Sequence, residues 1–393
     1  MMSNSVLRVF LQPRRIELGL AFMFLSAACS SQCAQAQTYK ILHEFQGNSD
    51  GGLTYAGVIR DAQGNIYGTT PTGGTYGEGS VFKIGEAGKE TMLYSFKGGN
   101  DGADPYQGLM EAADGNLYGT TSGGGAAGGG IVFKLSKSGK ETVLYTFKGS
   151  GDAYNPLAGV IRDARGNLYG TTQGGGTFNA GAVFQLSKSG KETVLYSFKG
   201  GTDGNLPDAG VMQDSKGNLY GTTLFGGAYD AGVVFKLSKT GNETILYSFT
   251  NGTDGGYPYA GVVGDGKGNL YGTTGGGGTY GGGTVFKVTQ NGAETVLYSF
   301  GGGSMPYAGL IRDSKGNLYG TTFYGQTVFK VDTSGTETVL HSFCQQSGCA
   351  DGGYPVAGVF RDTKGHLYGT TLWGGDLNCN PSYGCGVVFE LTP

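Results

Sequence analysis

Towards its C-terminal end the chain gathers residue types able to hold a ligand. Trp373, the only tryptophan, opens a stretch that continues through Asp376, Asn378, Cys379, Asn380, Tyr383 and Cys385, and a stretch upstream carries Cys344, Cys349, Asp351 and Tyr354. Aromatic planes interleaved with Asp and Asn suit a sugar or an extended peptide, because rings cover apolar faces while amides and carboxylates take polar groups. The four cysteines form an even set, which in an exported chain points to disulfides. Three pairings are open; Cys344 with Cys349 and Cys379 with Cys385 are favoured, since each closes a short local loop. On this reading Trp373, Asp376, Asn378, Asn380, Tyr383, Asp351 and Tyr354 line a binding step. The competing reading is that the bridges only stiffen the loops and Trp373 is packing.

Other chemistry finds little support. His43, His341 and His366 each occupy a position that is Tyr or Asn elsewhere in the chain, and none has metal-ligand spacing, so no metal or cofactor is expected. The Asp-Gly pairs at Asp50, Asp101, Asp203, Asp254 and Asp351 lack the spaced carboxylates of a calcium loop. Glycine runs such as Gly275 to Gly278 follow a strand pattern without opening a helix, which argues against a phosphate cradle. Arg60, Arg162, Arg312 and Arg361, each followed by Asp, read as salt-bridged turns rather than one active site, so no catalytic residue is assigned. An enzyme, a lyase or hydrolase acting on a polysaccharide, ranks behind a binding or display scaffold, with structural self-assembly as a further alternative.

The elements that would position these groups follow from a repeat. A Tyr-Gly-Thr-Thr motif places its tyrosine at Tyr67, Tyr118, Tyr169, Tyr220, Tyr271, Tyr319 and Tyr368, spaced by 51 four times, then 48 and 49. A second marker places Phe82, Phe133, Phe184, Phe235, Phe286, Phe329 and Phe389 after valine. Each unit holds four apolar segments of strand length separated by Gly, Asn, Asp and Ser turns, as in 209–214, 218–224, 232–238 and 243–249. That is the meander of a propeller blade, so the fold class is all-β: a seven-bladed β-propeller. The last unit lacks its fourth strand, and the segment 39–45 matches 193–198, so the N-terminal strand is expected to complete blade seven and close the ring. Meander geometry puts the loops between second and third strands on one face with those entering each blade. That face carries Asp50, Asp101, Asp104, Asp152, Asp203, Asp208, Asp254, Asp351 and Asp376 and is expected to be acidic and to bind; the opposite face, with its lysines, is expected to be basic to mixed.

Gly-Asn-Leu-Tyr-Gly-Thr-Thr, Val-Phe-Lys-Leu, Gly-Lys-Glu-Thr-Val-Leu-Tyr-Ser-Phe and Pro-Tyr-Ala-Gly-Val together resemble the GloVer tandem-repeat family of bacterial choice-of-anchor surface proteins, from about Tyr39 onward. The resemblance implies an exported bacterial protein and no particular reaction. Residues 1–36 read as a signal peptide: Arg8, Arg14 and Arg15, an apolar run over 18–28, then Ala34-Gln35-Ala36, with Gln37 as the expected mature start and 37–393 as a single propeller domain. Lipidation of Cys29 is a minor alternative. Removing the leader moves the net charge from −3 to −5, which excludes nucleic acid and anionic membrane as natural partners. No other apolar run has membrane length and no sorting tail is seen in 387–393, so a periplasmic or secreted monomer with a glycan or protein ligand is expected.

Overall fold

The computed structural model describes residues 37–47, 50–149 and 152–393, and the proposed leader with Cys29 lies outside the described residues. The described residues form seven four-stranded antiparallel sheets and one small two-stranded sheet, Ala153–Tyr154 with Gly174–Gly175. Blade four is typical, with strands Met212–Gln213, Leu219–Thr223, Val233–Leu237 and Glu243–Ser248. Its second and third strands are buried almost throughout because neighbouring blades cover both faces, while the fourth is only partly buried and reaches solvent. In all seven blades the pairing of third and fourth strands shifts register at one point, a bulge that adds twist to the outer edge.

Each letter of Tyr-Gly-Thr-Thr has a structural task. In blade four the Tyr220 hydroxyl donates to Asp214 at 3.1 Å, and the same carboxylate accepts the backbone N–H groups of Lys216 and Asn218 at 2.9 and 2.8 Å, which closes the turn between first and second strands. Gly221 lies opposite Phe235, and a Cβ there would come within 2.7 Å of the ring. Thr222 donates 2.9 Å to the Ala260 carbonyl of the next blade. The equivalent bond recurs at every blade junction, from Thr69, Thr120, Thr171, Thr273, Thr321 and Thr370. The second threonine stays on its own blade, as when Thr223 donates to the Phe225 carbonyl at 2.8 Å.

The core is a ring of phenylalanine pairs. The residue closing each fourth strand meets the third-strand phenylalanine of the next blade edge to face: Phe45–Phe82, Phe96–Phe133, Phe147–Phe184, Phe198–Phe235, Phe249–Phe286, Phe300–Phe329 and Phe343–Phe389, with centroids 4.9 to 5.2 Å apart. This offset geometry is preferred by aromatic quadrupoles and adds roughly 0.5–1.5 kcal/mol per pair to the burial itself. Blade seven contains Phe360–Arg361, Leu367–Thr370 and Val387–Thr392, and its fourth strand is the N-terminal Thr38–Glu44, paired from Thr38 opposite Thr392 to Glu44 opposite Val387. The ring therefore closes through two distant parts of the chain, as the missing strand and its N-terminal match require.

Two expectations are revised. The first strand of each blade is two residues long rather than six, because its Ala-Gly portion hydrogen bonds across to the neighbouring blade instead of along its own sheet. The Arg-Asp pairs are not local ion pairs: Arg162, Arg312 and Arg361 lie over the rings of Tyr118, Tyr271 and Tyr319 in the preceding blade, while Arg60 lies over Tyr368 and meets Asp362 at 3.6 Å.

Candidate functional site

The segments entering the seven first strands converge on the axis and line a cavity of about 670 Å³. Its wall comes from one repeat position, occupied in turn by Tyr55, Tyr106, Leu157, Asp208, Tyr259, Tyr307 and Val356; all but Leu157 and Val356 are tyrosines or the single acid, and all seven contribute surface to the cavity. Below them the glycines of Ala-Gly form the neck; a Cβ on Gly358 would come within 2.6 Å of the Gly309 carbonyl, so side chains are excluded there. Above the wall, the residue two positions earlier is left-handed in every blade: Leu53, Asp104, Asn155, Leu206, Tyr257, Met305 and Tyr354 have φ between 48° and 58°. At Asp104, Asn155, Leu206, Tyr257 and Met305 the backbone is held by bonds at both ends. Leu206, for example, donates to Ala180 of the preceding blade at 3.1 Å and accepts from Leu224 of its own at 2.9 Å. Such conformations persist only where surrounding structure over-determines them, which makes this mouth a rigid one.

The cavity is asymmetric in chemistry. Tyr259 and Tyr307 meet at 4.4 Å between centroids, a contact made possible by Gly275, whose added Cβ would fall within 3.0 Å of both rings. On the same wall Asp208 accepts 3.0 Å from Gln173, which accepts 2.7 Å from Asn155. Burial pushes the Asp208 carboxyl up to about 6, with the Gln173 bond opposing. Burial likewise raises Tyr106, Tyr259 and Tyr307, reinforced by neighbouring Asp104, Asp208 and Tyr259 respectively, so these hydroxyls stay protonated. No lysine, arginine or histidine lines the cavity among the described residues.

The cysteine-rich loops of blade seven make a second concavity of about 270 Å³ on the same face. Disulfides join Cys344 to Cys349 and Cys379 to Cys385. Of the residues singled out in the sequence, Tyr354, Trp373 and Tyr383 come together there, with Tyr354–Trp373 centroids at 4.6 Å and Trp373–Tyr383 at 4.8 Å, joined by Leu377 and Pro381. The polar residues do not join them. Asp351 is 3% exposed and holds the Cys344 N–H at 3.0 Å beside His341. Asp376 accepts from the Asn378 backbone at 2.8 Å and Asn380 from Ser382 at 3.1 Å, and none of Asp376, Asn378 and Asn380 borders the concavity.

The same inward turn applies to the other aspartates of this face. Asp101, Asp152, Asp203 and Asp254 accept the hydroxyls of Tyr94, Tyr145, Tyr196 and Tyr247 and the backbone N–H that follows each fourth strand. They are turn chemistry more than an acidic binding surface. What projects instead are aromatic tips: Tyr76, Phe178, Tyr229, Tyr280, Tyr324 and Tyr383 are each more than half exposed, on the loops between second and third strands. The histidines are also spent on structure, His43 beside Asp50 at 3.3 Å and His366 beside Glu390 at 3.1 Å. The central cavity was missed in the sequence because its members lie about fifty residues apart; the signal was the one variable position preceding an otherwise regular Ala-Gly.

A model of the Gloeobacter/Verrucomicrobia repeat matches residues 29–215 and 201–383. No curated protein matches the chain. Among solved structures, a streptogramin B lyase superposes with a TM-score of 0.61 at 13% identity, covering 91% of this chain and 97% of that one. A catalytically inactive virginiamycin B lyase from Staphylococcus aureus with quinupristin gives 0.60 at 15% over 91% and 99%. An oligogalacturonate lyase from Vibrio parahaemolyticus gives 0.57 at 10% over 90% and 93%. At these identities the likeness is one of fold.

Proposed function

The chain belongs to the Gloeobacter/Verrucomicrobia repeat family, and from its own geometry we propose that it is an exported scaffold that binds a neutral glycan at the axial cavity. The observation that carries this reading is the pairing, in one rigid mouth, of the Tyr259–Tyr307 platform with the Asn155–Gln173–Asp208 relay. Tyrosine faces cover the C–H surface of a sugar ring, and an amide-held carboxyl takes its hydroxyls in either protonation state. The lack of cationic groups in the lining disfavours anionic polymers, which require charge-assisted bonds.

A catalytic reading is supported by one feature only, the Asp208 carboxyl poised near neutrality. General acid–base cleavage by a paired mechanism would need a second ionisable carboxyl or imidazole within reach, and the lining offers Asp208 alone. The test is a neutral-glycan array with the mature protein, followed by titration of the retained sugar and analysis of its products. Asp208→Asn with Tyr259→Ala should lose binding at least about tenfold, equal to 1.4 kcal/mol. Undiminished binding by that double variant, or no retained glycan, would overturn the cavity reading, and cleaved product would turn it towards catalysis.

A further inference from the structure

The axial cavity and the blade-seven concavity are joined by an uninterrupted row of aromatic rings. It begins at Tyr259 and Tyr307, 4.4 Å apart, and passes from Tyr307 to Phe323 at 5.3 Å. Phe323 meets Tyr354 at 5.3 Å, Tyr354 meets Trp373 at 4.6 Å, and Trp373 meets Tyr383 at 4.8 Å. Three blades contribute to it, and its course depends on one departure from the repeat. In blade six the loop between second and third strands covers only 323–326, whereas the same loop in blade five covers 275–283. The short loop leaves Phe323 partly open where longer loops would rise, and exposed Tyr324 flanks it at 4.6 Å.

We infer that this row is a single elongated binding track, and that its occupant is a linear neutral oligosaccharide with one end in the axial cavity and the other against Trp373 and Tyr383. The inference rests on the glycan reading above and extends it from a sugar to a chain. Two features select this occupant. Among the described residues no charged side chain lines the blade-seven concavity and the axial end offers only Asp208, so neither end complements a charged polymer. Where the row crosses blades six and seven, strand-like main-chain groups are already paired, Gly353 with Trp373 in both directions, and the Tyr354 and Met305 carbonyls with the Leu372 and Phe323 N–H groups. Strand addition by an extended peptide is therefore disfavoured at Gly353 and Trp373, where ring surface is what remains to be covered.

The single tryptophan gives a direct readout, since all indole emission reports on the outer end of the track. The mature protein is titrated with cello-, xylo- and malto-oligosaccharides from disaccharide to octasaccharide, following both heat and Trp373 emission. The expected result in a series that binds is affinity rising with length, a Trp373 response that begins only with the longer members, and about tenfold loss of the long-chain gain in Tyr383→Ala with disaccharide binding unchanged. Tyr259→Ala should weaken every length. Length-independent affinity with silent Trp373 would overturn the track and leave the axial site standing. Failure of every sugar here and on the array would overturn both, as would a Trp373 response confined to a linear peptide library. Thermal melts of each variant separate lost binding from lost folding.

Discussion

The Thr370 hydroxyl donates to the Ala56 carbonyl at 2.8 Å, joining the last blade to the first across 314 residues of chain. It is the seventh copy of a bond that elsewhere joins consecutive blades, so closure uses the same contact as propagation. Replacing Thr370 by Val keeps the shape, removes the donor and leaves a buried carbonyl unpaired, which costs about 1–3 kcal/mol. Thr222→Val, which breaks the Ala260 bond in mid-chain, should cost the same within error. Urea unfolding of both variants is the check, and a much smaller effect at Thr370 would mean that the seam is looser than the other junctions. Deleting 37–46 exposes the Val387–Thr392 edge and should give concentration-dependent association in light scattering.

Gly221 and its six equivalents are required by the facing phenylalanine more than by backbone freedom. A Cβ at Gly221 meets the Phe235 ring at 2.7 Å, in a core where that ring is also fixed against Phe198 at 5.1 Å. Gly221→Ala should destabilise by about 1–3 kcal/mol through overpacking. Combining it with Phe235→Leu should cost less than the two changes added together, because the smaller side chain vacates the contested space; strict additivity would place the cause elsewhere.

Much of this architecture was legible in the sequence, and what was hidden has a physical reason. Blade number and closure could be read because Tyr220 and Phe235 recur in phase and because 39–45 copies a fourth strand. The pairing of Cys379 with Cys385 could be read because the loop between them is short. Asp351 was misleading: among glycines and cysteines it looks like a surface acid, yet it occupies the repeat position whose carboxylate turns inward to cap the fourth strand. Asp208 and Tyr259 show the opposite case. They are fifty-one residues apart in the chain and line one cavity only because the segments entering the first strands of adjacent blades converge on the axis. No local pattern carries that proximity; it becomes visible once the repeat is wrapped into a ring.

Stability should fall between mildly acidic and alkaline pH. Glu141, Glu192, Glu243 and Glu294 begin the fourth strands and are each pushed up to about 7, first by burial and then by Asp101, Asp152, Asp203 and Asp254 of the preceding blade, with Lys148 and Lys199 partly offsetting at Glu192 and Glu243. A carboxyl raised in the folded state contributes fully below its unfolded value of 4.5 and loses that contribution as pH rises through about 7. Asp163 and Asp214 act at the other limit: burial alone would raise them, but bonds from Asn167 and Asn218, from the turn backbone and from Tyr169 and Tyr220 lower them, so their contribution is lost as pH falls below 3.8. The melting temperature should therefore peak in the mildly acidic range. Changing all four glutamates to Gln should flatten the fall above pH 7, and a fall of unchanged steepness would assign it to other groups.

The left-handed residues at the cavity mouth set conformation against burial. Leu206 has φ 55°, is half-buried, and precedes Pro207, whose ring further restricts it. A left-handed L-residue costs roughly 1–2 kcal/mol, a β-branched one more, and glycine almost nothing. If apolar contact decides the site, Leu206→Val should be the milder change and Leu206→Gly the harsher, since valine keeps most of the side chain. If the backbone decides it, the order reverses. The two bonds holding Leu206, to Ala180 and from Leu224, fix the φ regardless of side chain, so the expected order is Gly more stable than Val by about 1 kcal/mol or more. Paired thermal and urea melts of the two variants read this directly, and Val equal to or above Gly would show that the mouth relaxes out of the left-handed region when its side chain demands it.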